Sequence, residues 1–174
     1  AQTIADTIHT LLTKDEAEQL RSSYPSSSIF IRRVIGSQEF IRGEERYCLW
    51  ITEDNVELAY SIPEIHHRIK QCEQARLNSP REATRKLSNV PWRFGEVRHK
   101  ETGAIIIPRV SSERRKYYPI GYLPKEYIIT DRAFVIYDAS LLILGLISSN
   151  IHMVWMKAVA GRLKMDYNYS STLC

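Results

Sequence analysis

The chain has 174 residues, of which 44% are hydrophobic and 25% are charged, and its formal net charge is +4. A chain of this length can bury one sizeable core, so one compact domain over 1–174 is expected, with a helical part over 1–90 and a sheet-rich part over 91–174 as the alternative. The three cysteines are an odd number without Cys-x-x-Cys spacing, and no apolar run approaches the ~20 residues that span a bilayer. A disulfide framework, a structural zinc and a membrane span are therefore not indicated, and we expect a soluble protein in a reducing cytoplasm.

The first predicted elements are helices followed by a strand. Thr13 is a candidate N-cap, and the acids in the turn after it predict a helix. Residues 29–40 are interpreted as a short amphipathic helix that breaks at Gly36 and is followed by a second turn. The aromatic and β-branched run at 46–51 predicts a buried strand, and we expect Trp50 to lie in the core.

Two further helices are predicted before residue 90. Pro63 suits the first turn of a helix, and the apolar residues after it recur at three- and four-residue spacing, which predicts one buried face. The adjacent histidines at 66–67 point in different directions on such a helix, so we interpret them as rim residues and not as metal ligands. The Ser-Pro pair at 79–80 predicts another helix, on which Arg85 and Lys86 face solvent or a phosphate backbone.

The tetrapeptide Asn-Val-Pro-Trp at 89–92 approaches the (Asn/Asp)-Pro-Pro-aromatic loop of amino-methyltransferases, but its second residue is Val. The seven glycines include no Gly-x-Gly pair, so the glycine-rich loop for S-adenosylmethionine is missing as well. We therefore interpret the tetrapeptide as a turn above a packed Trp92. Residues 96–103 are a candidate polar hairpin.

The stretch 105–122 carries the strongest functional signal. Ile105 to Ile107 predict a strand, and Pro108, which cannot donate to a sheet ladder, marks its edge or its end. The next residues combine cations, hydroxyls and phenol rings: Arg109, Ser111, Ser112, Arg114, Arg115, Lys116, Tyr117 and Tyr118. Cations neutralise phosphates, hydroxyls bond to phosphate oxygens and aromatic faces stack on bases, so the stretch predicts a nucleic-acid-binding surface. The alternative is a solvated charged loop in which Tyr118 is a packing residue.

Positive charge is concentrated in residues 81–116. This window holds ten Lys or Arg against four Asp or Glu, a balance of +6, whereas the whole chain has 24 against 20, which leaves −2 for the remainder. All of the positive excess therefore lies in one window, and a polyanion is the expected partner.

The last part of the chain is apolar. Residues 127–129, 133–137 and 141–147 predict strands, and Ser149 is a candidate N-cap for the clearest helix. We expect the apolar stripe of that helix to face the core; it comprises Ile151, Val154, Trp155, Ala158, Val159 and Leu163. These elements together predict an α+β fold, with a mixed or antiparallel sheet of short strands flanked by helices.

No motif of a self-contained enzyme is present in the sequence. There is no Gly-x-Ser-x-Gly, no Gly-Lys-Ser/Thr, no His-Glu-x-x-His and no acid followed two residues later by Lys. We therefore assign no catalytic and no metal-binding residue. Two classes remain open, a DNA-recognition module and a structural or protein-interaction domain that docks against other domains of a larger enzyme.

Five segments are specific enough to suggest a family: IRRVIGSQEFI at 31–41, RYCLW at 46–50, ATRKL at 83–87, PRVSSERRKY at 108–117 and GRLKMDY at 161–167. In this order they resemble the target recognition domain of the bacterial type IIL (MmeI-like) restriction–modification DNA methyltransferases. Members of that family fuse an endonuclease, a helical connector, an adenine-N6 DNA methyltransferase, this domain and a C-terminal helical part.

The resemblance implies a non-catalytic, sequence-specific module for double-stranded DNA, excised from a larger chain. Its further partners would be the methyltransferase and C-terminal domains of the parent chain, and no membrane is involved. The parent would use S-adenosylmethionine and magnesium, neither of which this part needs to bind.

The resemblance also divides the candidate residues by role. The motif at 108–117 is shared among relatives, which implies scaffold or phosphate contact. The expected DNA-binding residues are Arg85, Lys86, Arg93, Arg98, Lys100, Arg109, Ser111, Ser112, Arg114, Arg115, Lys116 and Tyr117. Base reading would fall to less stereotyped positions, because Arg and Lys pair with guanine and Asp accepts from cytosine. Those positions are His99, Lys125, Asp131 and Arg132, beside Arg93, Arg98 and Lys100.

Overall fold

A computed structural model describes residues 10–170 of the chain. The chain divides into two compact units: unit 1 is Ala1–Val34 with Glu45–Arg98, and unit 2 is Ile35–Glu44 with His99–Cys174. The alternative prediction, two parts that divide at residue 90, did not assign residues 35–44 to the second part. The prediction of a single domain stays a prediction.

The helices are α1 Lys14–Ser23, α2 Ser37–Arg42, α3 Val56–Ser61, α4 Pro63–Leu77, α5 Glu82–Lys86, α6 Leu141–Ile147 and α7 Asn150–Val159. The strands are β1 Leu11–Leu12, β2 Ile31–Ile35, β3 Arg46–Leu49, β4 Ala104–Pro108, β5 Val110–Ser111, β6 Gly121–Leu123, β7 Tyr127–Ile129, β8 Ala133–Tyr137, β9 Gly161–Leu163 and β10 Asp166–Asn168. Short 3-10 turns span Pro25–Ile29, Glu53–Asn55 and Leu87–Asn89.

Helices and short antiparallel strands occur in both units, which confirms the α+β prediction. In unit 1, β3 pairs with β1 on one side and with β2 on the other. In unit 2, β4 lies between β6 and β8, and β10 lies between β5 and β9.

The helices of unit 1 begin where local signals predict them. The Thr13 hydroxyl accepts a hydrogen bond from the Glu16 N–H at 3.2 Å, and the Glu16 carboxylate accepts from the Thr13 N–H at 2.8 Å. This reciprocal pair satisfies two amide groups that a helix start would otherwise leave without partners. Helix α4 starts at Pro63 and buries Ile65 and Ile69 in the unit 1 core, as its apolar spacing predicts.

A buried arginine donates hydrogen bonds to the backbone near the end of unit 1. The Arg76 side chain, on α4, is fully buried. Its guanidinium donates to the carbonyl oxygens of Leu87 and Val90, each at 2.8 Å, and of Arg93 at 2.6 Å. Three carbonyl oxygens between residues 87 and 93 thereby share one side-chain donor, which fixes the turn that carries the buried Trp92.

The helix predicted within residues 29–40 is wrong for its first half. Residues 31–35 form strand β2, and Arg32 pairs with Cys48 and Arg33 with Tyr47 of β3. The strand was missed because its burial does not alternate strictly, and pairing with β3 outweighs local spacing. Only the second part, Ser37–Arg42, is helical, and it belongs to unit 2.

Strand β4 organises the core of unit 2. Ile105 and Ile107 pack in one cluster with Met153 and Met156, whereas Ile106 packs in a different cluster with the chain around Ala133. Successive side chains of a strand point to opposite faces, so β4 is buried on both. Pro108 is the last residue of β4, in agreement with the predicted strand end.

Two predictions of secondary structure in unit 2 are wrong. Residues 141–147 form helix α6 and not a strand, because Ser140 caps a helix start: its hydroxyl accepts from the Ile143 N–H at 3.4 Å. The polar hairpin expected at 96–103 has no strands, and this part of the chain is irregular. The strands predicted at 127–129 and 133–137 are confirmed.

Helix α7 starts after Ser149 as predicted, but the face expected to be buried is exposed. Ile151 is 83% exposed and Val154 is 60% exposed, whereas Met153 and Met156 are buried. The apolar stripe was assigned to the core because most such stripes are buried, and the flexible methionines on the other face fill the core instead.

Cys48 and Cys72 are buried thiols outside any disulfide, and burial raises the pKa of the Cys48 thiol to about 12. Cys174 lies outside the described residues. Among the described helices, none alone has the length and apolar character needed to cross a membrane; only α6 and α7 taken together meet those criteria, with a bend of 55° between them.

Candidate nucleic-acid interface

The cationic loop after β4 is closed by a buried tyrosine. The Tyr118 hydroxyl donates to the Pro108 carbonyl oxygen at 2.9 Å, and the Tyr118 side chain is buried. Tyr118 is therefore the packing residue that the alternative interpretation allowed. Between these anchors Arg114, Arg115 and Lys116 are exposed, so the anchoring residues and the cations have separate roles in the loop.

Ser37 links two predicted DNA-contacting segments of unit 2. Its hydroxyl accepts a hydrogen bond from the Arg109 N–H at 3.0 Å and donates to the Arg132 carbonyl oxygen in a short contact. Arg109 follows β4 and Arg132 precedes β8, so one hydroxyl ties the backbones of the two segments together. Both arginines are exposed.

The turn that presents Ser37 is tightly built. The carboxylate of the buried Glu39 accepts from the Gly36 N–H at 3.0 Å. A Cβ at Gly36 would lie 2.7 Å from the Thr130 Oγ1 atom and 2.9 Å from the Glu39 Oε2 atom. Glycine at this position therefore allows the close approach of Thr130, which directly precedes the turn with Arg132.

Arg109 is fixed at its backbone and at its side chain. Its carbonyl oxygen accepts from the Tyr169 N–H at 2.8 Å, and Tyr169 is buried. Its guanidinium lies over the Phe134 ring, 4.7 Å from the ring centroid. A cation stacked on an aromatic ring keeps its in-plane donors available to a ligand.

We expect the substitution Ser37→Ala to release the Arg109 amide. A typical hydrogen bond contributes about 1 kcal/mol net, so amide hydrogen exchange at Arg109 should accelerate about fivefold while the fold persists. Exchange followed by mass spectrometry or NMR measures this. Ser22→Ala, which removes an exposed hydroxyl that donates to the Glu18 carbonyl oxygen in α1, is the matched control. An unchanged Arg109 rate in the Ser37 variant would show that the hydroxyl does not hold the two segments.

Several predicted DNA-contacting cations lack a counter-charge in the part of the chain that the structure describes. Within residues 10–170, the side chains of Arg114, Arg115, Lys125 and Arg132 take part in no ion pair, and all four residues are exposed. Asp131 is exposed beside Arg132. Cations without an internal partner are available to neutralise phosphates.

Other predicted cations already have partners inside the chain. Lys86 pairs with Glu82 at 2.9 Å, Arg98 with Glu96, Arg93 with Glu53 at 4.0 Å and Lys100 with Asp138 at 3.5 Å. The Arg85 guanidinium donates to the Ser79 and Pro80 carbonyl oxygens, and the Lys116 ammonium lies over the Tyr117 ring. These contacts lie at exposed positions, and exposed ion pairs are weak. A DNA phosphate could therefore replace the internal partner.

Three predicted residues lie in less accessible positions. Ser111 is buried in β5, opposite Tyr167 of β10. The Ser112 hydroxyl accepts from the Arg114 N–H at 3.3 Å and stabilises the turn. The His99 side chain is only 4% exposed and lies edge-on to the Tyr137 ring. Their predicted contacts with DNA stay predictions.

The predicted residues divide between the two units. Arg85, Lys86, Arg93 and Arg98 belong to unit 1, whereas His99, Lys100, Arg109, the loop from Ser111 to Tyr117, Lys125, Asp131 and Arg132 belong to unit 2. Sequence reasoning missed Ser37 and Phe134 as parts of the site. The signal for Ser37 was present, because Gly36-Ser37 lies inside one of the five segments that carry the family resemblance.

Comparison with known proteins gives concordant results. The sequence model of the family described as MmeI, target recognition domain, matches residues 2–174. DNA methyltransferase A of Bacillus subtilis (strain 168) is 42% identical over 164 residues, which are 94% of this chain and 19% of that protein. The type IIL restriction-modification enzyme MmeI, solved in complex with DNA, matches with a TM-score of 0.88 and 34% identity over 99% of this chain and 23% of that chain.

The chain thus spans about a fifth of the length of the relatives that it matches. The family match extends over nearly all of its residues, and the fold of the solved relative is the same over nearly all of them. On this sequence and structural agreement, the chain belongs to the family of MmeI target recognition domains.

Proposed function

We propose that this chain recognises a specific double-stranded DNA sequence on behalf of a longer polypeptide that methylates adenine at N6 and cleaves DNA. Family membership supports the role in recognition, and the two relatives named above are a DNA methyltransferase and a restriction-modification enzyme solved with DNA. The chemistry would be carried by other parts of that polypeptide. This chain would determine which DNA sequence is recognised.

The observation that carries the proposal is that the Ser37 hydroxyl hydrogen-bonds to the backbones of both Arg109 and Arg132. Phosphate contacts fix the register of a protein on a duplex, and base contacts then read the sequence from that register. Arg109 lies in the segment 108–117, which is one of the five that carry the family resemblance, and Arg132 lies in a turn outside all five. A single hydroxyl joins their backbones. It would hold the residue that we assign to phosphate contact and the residue that we assign to base reading at a fixed separation.

The remaining cations of unit 2 fit the phosphate-contacting role. Arg114 and Arg115 are adjacent, exposed and without an ion-pair partner in residues 10–170. Lys116 and Tyr117 follow them, and the Tyr117 ring is 47% exposed. Such contacts supply affinity that does not depend on sequence and that falls with salt.

Cofactors of the parent polypeptide are part of the proposal. We expect S-adenosylmethionine and magnesium to bind to the methyltransferase and endonuclease parts, and this chain to bind neither. In the part of the chain that the structure describes, no group of three His, Cys, Asp or Glu side chains could hold a metal ion. The expected place of action is the bacterial cytoplasm, where the DNA is found.

We predict that Arg132→Ala in the full-length polypeptide relaxes recognition at one base pair. A good bidentate contact to a base is worth about 1–3 kcal/mol of discrimination, which corresponds to roughly 5–150-fold. Sequencing of methylated adenines in a random-site DNA library measures the preference at each position. The control is Lys70→Ala, which removes an exposed cation of unit 1 paired with Glu73. If the Arg132 variant kept the full preference at every position, Arg132 would not be a base-reading residue.

A further inference from the structure

The half-buried ring of Phe134 contacts both the unit 2 core and an exposed arginine. Phe134 pairs with Ile107 in the β4–β8 ladder, so its ring stands beside the end of the strand from which Arg109 emerges. The ring packs against the core cluster that includes Tyr169, and the centroids of these two rings are 5.9 Å apart. The Cζ atom of the Arg109 guanidinium lies 4.7 Å from the Phe134 centroid. A residue of the core thus supplies the surface on which an exposed cation rests.

The backbone that carries this cation is held by two buried tyrosines of the same cluster. The Tyr118 hydroxyl donates to the Pro108 carbonyl oxygen at 2.9 Å, and the Tyr169 N–H donates to the Arg109 carbonyl oxygen at 2.8 Å. The two tyrosine rings pack against each other, with centroids 5.2 Å apart. With the backbone fixed in this way, the remaining freedom of Arg109 is that of its own side-chain rotamers. Phe134 is the ring against which that side chain is held.

The stacked guanidinium has donors to offer. The Arg109 side chain forms no ion pair within residues 10–170, and the residue is exposed. Stacking uses the face of a guanidinium and leaves its N–H groups in the plane. Two parallel N–H groups match two oxygens of one phosphate, which is the bidentate geometry that makes such contacts strong.

We propose that Phe134 is a positioning residue for DNA binding: it holds the plane of the Arg109 guanidinium in place before a DNA phosphate arrives, without contacting the DNA itself. The inference rests on the proposed function, because it takes Arg109 as a phosphate contact. A rotamer-rich side chain that becomes ordered only on binding lowers affinity by about two- to tenfold. The ring orders Arg109 in the unbound protein, so that loss is avoided.

The test is a double-mutant cycle in the full-length polypeptide, with Phe134→Leu, Arg109→Met and both together. Fluorescence anisotropy with a duplex that carries the recognised site, over a series of salt concentrations, gives affinity and salt slope. We expect Phe134→Leu to weaken binding about two- to tenfold with an unchanged slope, because the same phosphates are neutralised. Arg109→Met should make the slope shallower by about 0.9. In the Arg109→Met background, Phe134→Leu should cause no further loss, because the two residues act through one contact.

A conservative variant separates positioning from support of the fold. Phe134→Tyr keeps an aromatic face under the guanidinium and should recover the affinity that Leu loses. An equal loss from Phe134→Leu with and without Arg109 would overturn the proposal, because the ring would then act only through the fold. Arg109→Met with the wild-type affinity and slope would overturn it as well, since there would be no contact to position. The proposed function fails on a different result, namely a wild-type polypeptide that binds every duplex equally well.

Discussion

Replacing Arg76 by Met should lower the free energy of unfolding by about 1–3 kcal/mol, because three backbone carbonyls lose a buried charged donor. The partners are the carbonyl oxygens of Leu87, Val90 and Arg93. Met keeps much of the apolar volume, so the loss reports the hydrogen bonds. Urea denaturation followed by circular dichroism or tryptophan fluorescence measures it.

The control for this substitution is Lys70→Met, which introduces the same side chain on the same helix at an exposed position. We expect the urea midpoint of that variant to stay at the wild-type value. A midpoint for the Arg76 variant that also stays there would contradict the role assigned to Arg76. In that case, water or neighbouring groups would satisfy the three carbonyls.

Replacing both Arg114 and Arg115 by Ala should weaken binding of the full-length polypeptide to every duplex and flatten its salt dependence. Each phosphate neutralised contributes about −0.9 to the slope of log K against log salt, so the slope should become shallower by about 1.8. The ratio of affinities for the recognised site and for an unrelated duplex should stay the same, because phosphate contacts carry no sequence information. Fluorescence anisotropy over a series of salt concentrations measures both quantities.

Lys14→Ala with Lys70→Ala is the matched control, since it removes the same charge from two exposed sites. Lys14 pairs with Glu45 at 3.0 Å and Lys70 with Glu73 at 2.8 Å, so neither is expected to contact phosphate. The control should keep the wild-type slope. If the two double variants lost slope equally, net charge and not the loop after β4 would explain the binding.

Local signals in the sequence predicted the starts of several helices. Thr13 and Ser149 each directly precede a helix and Pro63 is the first residue of one, because a cap or a proline acts within one turn of the chain. The strand at Ile105 to Ile107 was equally clear, since a β-branched run suits a strand buried on both faces. The family prediction is confirmed as well, and it came from segments and not from composition.

Elements that depend on distant partners were not predictable. Residues 31–35 form a strand because β3 is available to pair with them, and the apolar run at 141–147 can be a strand or a helix until the Ser140 cap is considered. The exposed face of α7 could not be told from a core stripe, because hydrophobic spacing indicates that a face is apolar but not what covers it.

The candidate site was predicted in part. The cations after β4 were named from the sequence, because their residue types are visible there, and their contact with DNA stays a prediction. Ser37 was not identified, since its role comes from two contacts with residues 72 and 95 positions away. A positioning hydroxyl of this kind becomes visible only when the fold brings its partners together.

The central claim is that residues 1–174 choose the DNA site for the polypeptide to which they belong. The direct measurement is to exchange this segment between two full-length relatives of different specificity and to sequence the methylated adenines. We predict that the methylated sequence follows the transferred segment. Methylation that stays at the recipient's original sequence would contradict the claim.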